Sequence, residues 1–394
     1  MRIRSVLSLI SLSATLYGAV MRASPGFALE PAPSAYTLDS ILDLALARNP
    51  AVSSAEGTID QQRGQQTAAG AYPNPTITGY MGYGEVRDTG RANIRESLDR
   101  ETLTEYNVTV GQPLEWPSMR KARQGVADAG LATATAGMSE TRLHLTTQVK
   151  VAFYDLLLAQ RDAALAQQNL DIVESVARIV KARVKSGEAP QFESIKAEVE
   201  VLKAKQQLAR AENAVRINRA VVDTLTGGAL GSTYVIQGDF MGMSKEVHLD
   251  GLIVRMGTQH PSIQRLLKSV EQSDWKIEFE RQSRIPSVTV NGSYWREIGR
   301  EAVQGGLSIP MPLWYRREGE IAASLGSKRH HEAELLRTRN ELARAIFQHY
   351  QDARTTAELI DVFDKGLLKQ AQEALRLAQF SFQQGASSLL DVFD

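Results

Sequence analysis

Two carboxylates, Asp391 and Asp394, stand three residues apart in the 394-residue sequence and would share one face of a helix. Like charges held close together raise one another's pKa and attract cations. The same spacing also suits two solvated acids in the first turn of a helix, where the dipole favours negative charge. A second candidate is His330-His331-Glu332, which invites a metal reading. Adjacent helical residues diverge by about 100°, so both imidazoles cannot easily hold one ion, and a solvated face is the plainer reading. His144, His248, His260 and His349 stand singly. No zinc-ligand spacing, phosphate-binding glycine loop or nucleophile–base set occurs. The residues supply no catalytic group and imply no cofactor, and nothing supports an enzyme.

These side chains are carried by very long helices. Between Pro117 and Pro190 the chain has no proline and no cysteine. Leu145, Val149, Ala152, Leu156, Ala159, Ala163, Ala166, Leu170, Val173, Ala177, Val180 and Val184 recur at alternating steps of four and three. That is an a/d heptad stripe. At about 1.5 Å per residue the helix is on the order of 100 Å long, more than any compact core requires.

Lys plus Arg and Asp plus Glu both number 45, interspersed along the helices, so no basic stripe for nucleic acid exists. Arg2 and Arg4, the apolar run Val6 to Val20 and the small-x-small site Gly26-Phe27-Ala28 read as a signal peptide over residues 1–28. An N-terminal anchor is the alternative, but the run is short and interrupted by serines for a span of about 20 apolar residues. Beyond it no stretch suits a transmembrane helix, and any crossing must be made by strands.

The sequence is also duplicated. Leu38-Asp39 is echoed by Leu249-Asp250, Asn49-Pro50 by His260-Pro261 and Pro75 by Pro286, all at an offset of 211 residues. Gln112-Pro113-Leu114-Glu115-Trp116 is echoed by Met311-Pro312-Leu313-Trp314, and Gly187 by Gly385. The first repeat spans 29–230 and the second 231–394. Each begins with a helix that runs to the proline before a strand. In the first, strands follow at about 76–83 and 106–114, then a long helix at 119–186 and a return helix at 190–225 with Phe192, Ile195, Val199 and Leu202 on one face. In the second, strands fall at about 287–295 and 303–310, joined by a turn around Gly299, and a long helix at 318–384. Alternating apolar and polar residues predict a sheet with one face of each kind. The repeat predicts a further return helix after Asp394, which this sequence lacks.

An exported, duplicated helix–strand–strand–long helix–helix chain resembles the TolC-like family of outer-membrane efflux proteins. Gly385-Ala386-Ser387-Ser388-Leu389-Leu390-Asp391-Val392-Phe393-Asp394 is similar to that family's glycine-to-aspartate signature at the periplasmic helix turn. Tyr72-Pro73-Asn74-Pro75 enters the first strand, and Gln112-Pro113-Leu114-Glu115 leads into Arg120-Lys121-x-Arg123. This last feature is most similar to the cobalt–zinc–cadmium branch.

The resemblance implies a mainly α fold with a small β part: a homotrimer with a coiled-coil α-barrel and a shared twelve-stranded β-barrel in outer-membrane lipid. Partners would be a periplasmic adaptor and an inner-membrane transporter. Asp391 and Asp394 would form two carboxylate rings at the narrow periplasmic end, a cation-selectivity device. Glu193, Phe382, Gly187 and Gly385 would belong to the contacts of the closed turns. Ser387 stands where the family's closed state uses an arginine, so the salt-bridge latch is not matched. Tyr80, Tyr83, Tyr294 and Trp295 are candidates for an interfacial aromatic belt. The implied function is a passive exit duct, with heavy-metal cations first among substrates, organic toxicants second and secreted protein third. The rival from another class, a periplasmic adaptor or coiled-coil scaffold, would have one helical hairpin rather than two hairpins with two strand pairs.

Overall fold

The computed structural model describes residues 35–83, 104–240, 247–297 and 300–384. The first half runs β1 (Ala35–Tyr36), α1 (Leu38–Arg48), α2 (Pro50–Gly70), β2 (Thr76–Tyr83), β3 (Thr104–Leu114), α3 (Pro117–Lys185), α4 (Gln191–Leu225) and β4 (Val235–Ile236). The second runs α5 (Leu249–Gln259), α6 (Pro261–Gln282), β5 (Val288–Glu297), β6 (Arg300–Ser308), α7 (Glu318–Val362) and α8 (Leu368–Gln383). The molecule is mainly helical, with a small sheet part, and is built from a duplicated unit. Residues 1–28, Gly299, Gly385, Asp391 and Asp394 lie outside the described residues.

The 69-residue α3 is the spine. Pro117 opens it where a missing N–H costs nothing. Every residue of the heptad stripe is buried or half-buried, with Val149, Leu156 and Val180 fully so. Its upper half is packed between α2 and α6, and its lower half pairs with α4. The main core gathers Ile41 and Ala45 of α1, Val149, Phe153 and Leu156 of α3, and Val222 of α4. The short parallel pair β1–β4, with Ile236, closes it.

Three expectations need correction. The helix before each strand pair is two helices, broken at Asn49 and His260. A residue before proline is pushed out of the α region, and Asn49 sits at φ −68°, ψ 128°. Both copies then turn the break into a cap. Asn49 Oδ1 accepts from Ala51 N at 2.8 Å, and His260 Nδ1 accepts from Ser262 N at 3.3 Å.

The long helix expected over 318–384 is interrupted by one π turn, Phe363–Leu367. Gly366 lies in that turn, has low helix propensity, and no residue of the turn is buried to hold it regular. On α4 the buried residues are Ser194, Ala197, Ala204 and Val222. Phe192, Ile195, Val199 and Leu202 point away from α3 and are exposed. The stripe of large residues is therefore an outer face, because small side chains are what let α4 lie close against α3. The third correction concerns the aromatics and follows from the sheet.

Candidate functional site

The four longer strands form one antiparallel sheet in the order β2-β3-β5-β6, joined across the two repeats by β3–β5. The register decides what each face carries. One set of cross-strand rows runs Gly79–Val108–Tyr294–Val303 and Ile77–Val110–Gly292–Gly305. The alternate rows run Thr78–Thr109–Ser293–Gln304 and Tyr80–Asn107–Trp295–Ala302. Since side chains alternate along a strand, the first face is apolar and the second polar. The apolar face is open: Ile77 is 75%, Met81 83% and Val303 81% exposed. At about 3.3 Å per residue, strands of 8–11 residues cover the hydrocarbon core of a bilayer when tilted.

Tyr83 and Tyr294 lie on this apolar face, whereas Tyr80 and Trp295 lie on the polar one. The latter pair therefore does not belong to an outward aromatic belt, a distinction that needs the register. None of the described helices is long and apolar enough to cross a membrane.

Charged clusters hold the sheet to the helices. In the first repeat Arg123 meets Glu115 at 2.7 Å and donates to Ala71 O, while the Arg120 guanidinium lies 3.6 Å from the Tyr72 ring centroid. In the second, the buried Glu280 accepts from Arg317 Nε at 3.0 Å and from Lys276 at 2.9 Å. Burial pushes the Glu280 carboxyl up, but the bonds from Lys276 and Arg317 outweigh it and the net shift is downward. Trp116 Nε1 donates to Pro286 O at 2.8 Å, tying the two junctions together. The Lys276–Glu280–Arg317 cluster was missed in the sequence. Its signal was Glu280 standing in step with Leu266, Ser269, Ser273 and Ile277 on the buried face of α6.

At the far end, α3 closes through a Schellman turn. Gly187 adopts φ +80°, Glu188 N donates to Arg183 O at 2.9 Å and Gly187 N to Val184 O at 3.1 Å. Glu193 is half-buried in the first turn of α4. Phe382, near the end of α8, is 2% exposed and packs on Val176 and Val180 of α3 and Ala197 of α4. The Arg183 guanidinium lies 5.7 Å from its ring centroid. Phe382 and the Gly187 turn thus occupy the same end of the molecule.

The histidine pair does not converge. His331 faces α6, its Nδ1 2.9 Å from Ser273 Oγ, while His330 is exposed. Burial lowers the His331 pKa, with His330 and Arg265 acting in the same direction. Among the described residues no group of three or more His, Cys, Asp or Glu is placed to hold a metal ion.

A short sheet with an open apolar face, mounted on helices near 100 Å long, defines a segment of channel wall rather than a closed globule. The chain belongs to the outer membrane efflux protein family, whose model matches residues 41–228 and 252–394. It is 24% identical over 360 residues to the cobalt-zinc-cadmium resistance protein CzcC of Cupriavidus metallidurans, covering 91% of this chain and 82% of that one. It is 22% identical to the pyoverdine export outer membrane protein OpmQ of Pseudomonas aeruginosa, covering 91% and 78%. Among solved structures, the outer membrane protein VceC of Vibrio cholerae superposes with a TM-score of 0.72 at 16% identity, over 90% of this chain and 88% of that one. CusC superposes with a TM-score of 0.69 at 14% identity, over 90% and 84%. The protein is an outer-membrane efflux channel component, not an enzyme, with its strands in the membrane and its helices in the periplasm.

Proposed function

We propose that three copies close their sheets into one twelve-stranded barrel and form a passive exit duct for heavy-metal cations, fed by a periplasmic adaptor and an inner-membrane transporter. The observation that carries this reading is the polarity split of the sheet. Strands β2 and β6 are open edges, and unpaired N–H and C=O groups at an edge are too costly in lipid for one chain to insert alone. Closure with further copies removes both edges, with the apolar face outward and the polar face on a water-filled bore. The exposed apolar stripe of α4 supports the same association, since helices in a tunnel wall need a neighbour on each side.

The cargo assignment rests on the likeness to a cobalt-zinc-cadmium resistance protein and on the acids at the turn end. Asp391 and Asp394 of each copy would form stacked carboxylate rings that select cations. Gly187 and Gly385 would form the turns there, with Glu193 and Phe382 among the closing contacts. Opening would untwist the inner helix pairs and relieve the constriction at Gly187 and Gly385, releasing Phe382. The test is planar-bilayer conductance of the purified chain beside an Asp391→Asn/Asp394→Asn variant. Cation-selective pores, blocked by divalent metal ions in the parent and less so in the variant, support duct and gate together. Anion-selective pores, or equal block in both proteins, would refute the gate.

A further inference from the structure

The polar face of the sheet carries a feature that a plain conduit does not need. Tyr80, Asn107 and Trp295 stand side by side in one cross-strand row, with Asn107 between the two aromatic residues. Strands lie about 4.8 Å apart, so the two rings are borne on backbones roughly 10 Å apart. Two rings that sandwich a flat molecule need about 7 Å between them, within reach of side chains leaning inward. The row borders a hollow of about 540 Å³ whose rim also carries Glu105, Glu297 and Gln304, with Met81, Tyr106 and Arg296 of the neighbouring row at its margin. In the next row Glu105 pairs with Gly82, which has no side chain to fill the space.

The electrostatics of this hollow favour a cation. Among the described residues the rim carries two carboxylates, Glu105 and Glu297, and one guanidinium, Arg296, which Glu301 neutralises at 3.4 Å; Arg300 stands beside the rim with its guanidinium 5.7 Å from the Trp295 ring centroid. Arg300 shows that the Trp295 ring already holds a cation against it. Trp295 Nε1 is buried and has no hydrogen-bond partner among the described residues, which hold the indole by packing. Aromatic faces beside carboxylates are the chemistry that recognises organic ammonium and ring-bearing cations.

We infer that the Tyr80–Asn107–Trp295 row is a binding slot for a planar organic cation on the bore side of the barrel. The slot is complete within one copy of the chain, because all of its residues come from β2, β3, β5 and β6. It does not depend on metal ions being the exported cargo. In a closed barrel it recurs around the bore near the end away from the helices, where it retains or delays a flat cation on its way through.

The probe is ethidium, titrated into the full chain in detergent and followed by fluorescence anisotropy, with uncharged phenanthridine as the neutral comparison. Trp295→Ala and Tyr80→Ala each weaken ethidium binding about tenfold, in line with loss of one cation–π partner. Glu105→Gln weakens it severalfold and flattens its salt dependence. Trp295→Phe keeps a ring and most of the affinity, and Val303→Ala, on the opposite face and outside the hollow, binds as the parent does. Asn107→Leu fills the floor of the slot and removes binding without deleting either ring, a second route if an aromatic deletion disturbs the sheet. Equal ethidium affinity in the parent, Trp295→Ala and Asn107→Leu would overturn the assignment. So would phenanthridine binding as tightly as ethidium.

Discussion

Replacing Gly125 by alanine sets two opposing terms against each other. Gly125 lies inside α3, where a glycine-to-alanine change by itself stabilises a helix by about 1 kcal/mol. A Cβ there would lie 2.4 Å from Cδ2 and 2.5 Å from Cε3 of Trp275, the α6 residue that packs against this turn. Carbon contacts are optimal near 3.5–4.0 Å, so the indole must retreat by roughly 1 Å. Overpacking of that kind costs about 1–3 kcal/mol, and Trp275 is only half-buried, which keeps the cost inside that range. The steric term wins: Gly125→Ala destabilises by up to about 2 kcal/mol. Gly57→Ala and Gly326→Ala, where a Cβ meets nothing within 4 Å, stabilise by up to about 1 kcal/mol instead. The assay is guanidinium unfolding in detergent, followed by helical circular dichroism, for Gly125→Ala, Trp275→Ala and the double variant. Removing the indole turns the alanine from a cost into a gain, so the cycle gives a coupling of about 1–3 kcal/mol. Gly125→Ala as stable as Gly57→Ala, with no coupling to Trp275, would refute the close α3–α6 approach.

Other perturbations read other parts of the molecule. Gly187→Ala places a Cβ at φ +80° and costs about 1–2 kcal/mol, with the loss confined to faster amide exchange around the α3–α4 turn. Phe382→Ala removes the side chain that seats α8 on α3 and α4, and raises the basal conductance of reconstituted channels while leaving the unfolding of the main core unchanged. Burial lowers the pKa of His260 against an opposing pull from Glu140, and burial also lowers that of His331. For both, the unfolded chain takes up a proton before the folded one does. Stability is therefore full above about pH 6.5 and falls as pH drops below it toward the lowered folded values. His260→Asn reproduces the Asn49 cap without a titrating group and reduces this loss between about pH 7 and 5, measured as the unfolding midpoint against pH.

Periodicity and duplication made the architecture legible. The heptad stripe of α3 is an arithmetic pattern, and burial of that stripe follows wherever a second helix is available to cover it. The 211-residue offset locates both copies of the unit. What escaped the sequence depends on pairing or on single residues. Asn49-Pro50 was visible as a repeat marker, but its power to split a helix lies in the conformation that proline forces on the residue before it. Phe192, Ile195, Val199 and Leu202 form a sound helical stripe, yet the alanines and serine on the other face decide which side meets α3. Tyr80 and Tyr83 look equivalent until the register sets them on opposite faces. Glu280 gives no warning of its partner because Arg317 stands beyond two intervening strands.

The most direct test of a barrel-forming sheet uses the absence of cysteine from the chain. Single cysteines at Met81, Val110 and Val303 on one face, and at Thr109, Ser293 and Gln304 on the other, are labelled in liposomes with a water-soluble maleimide. Efficient labelling of the second set and protection of the first, with lipid-soluble probes reversing the pattern, is the result expected of strands that separate lipid from a water-filled bore. Equal labelling of both sets would contradict it and take the sheet out of the membrane.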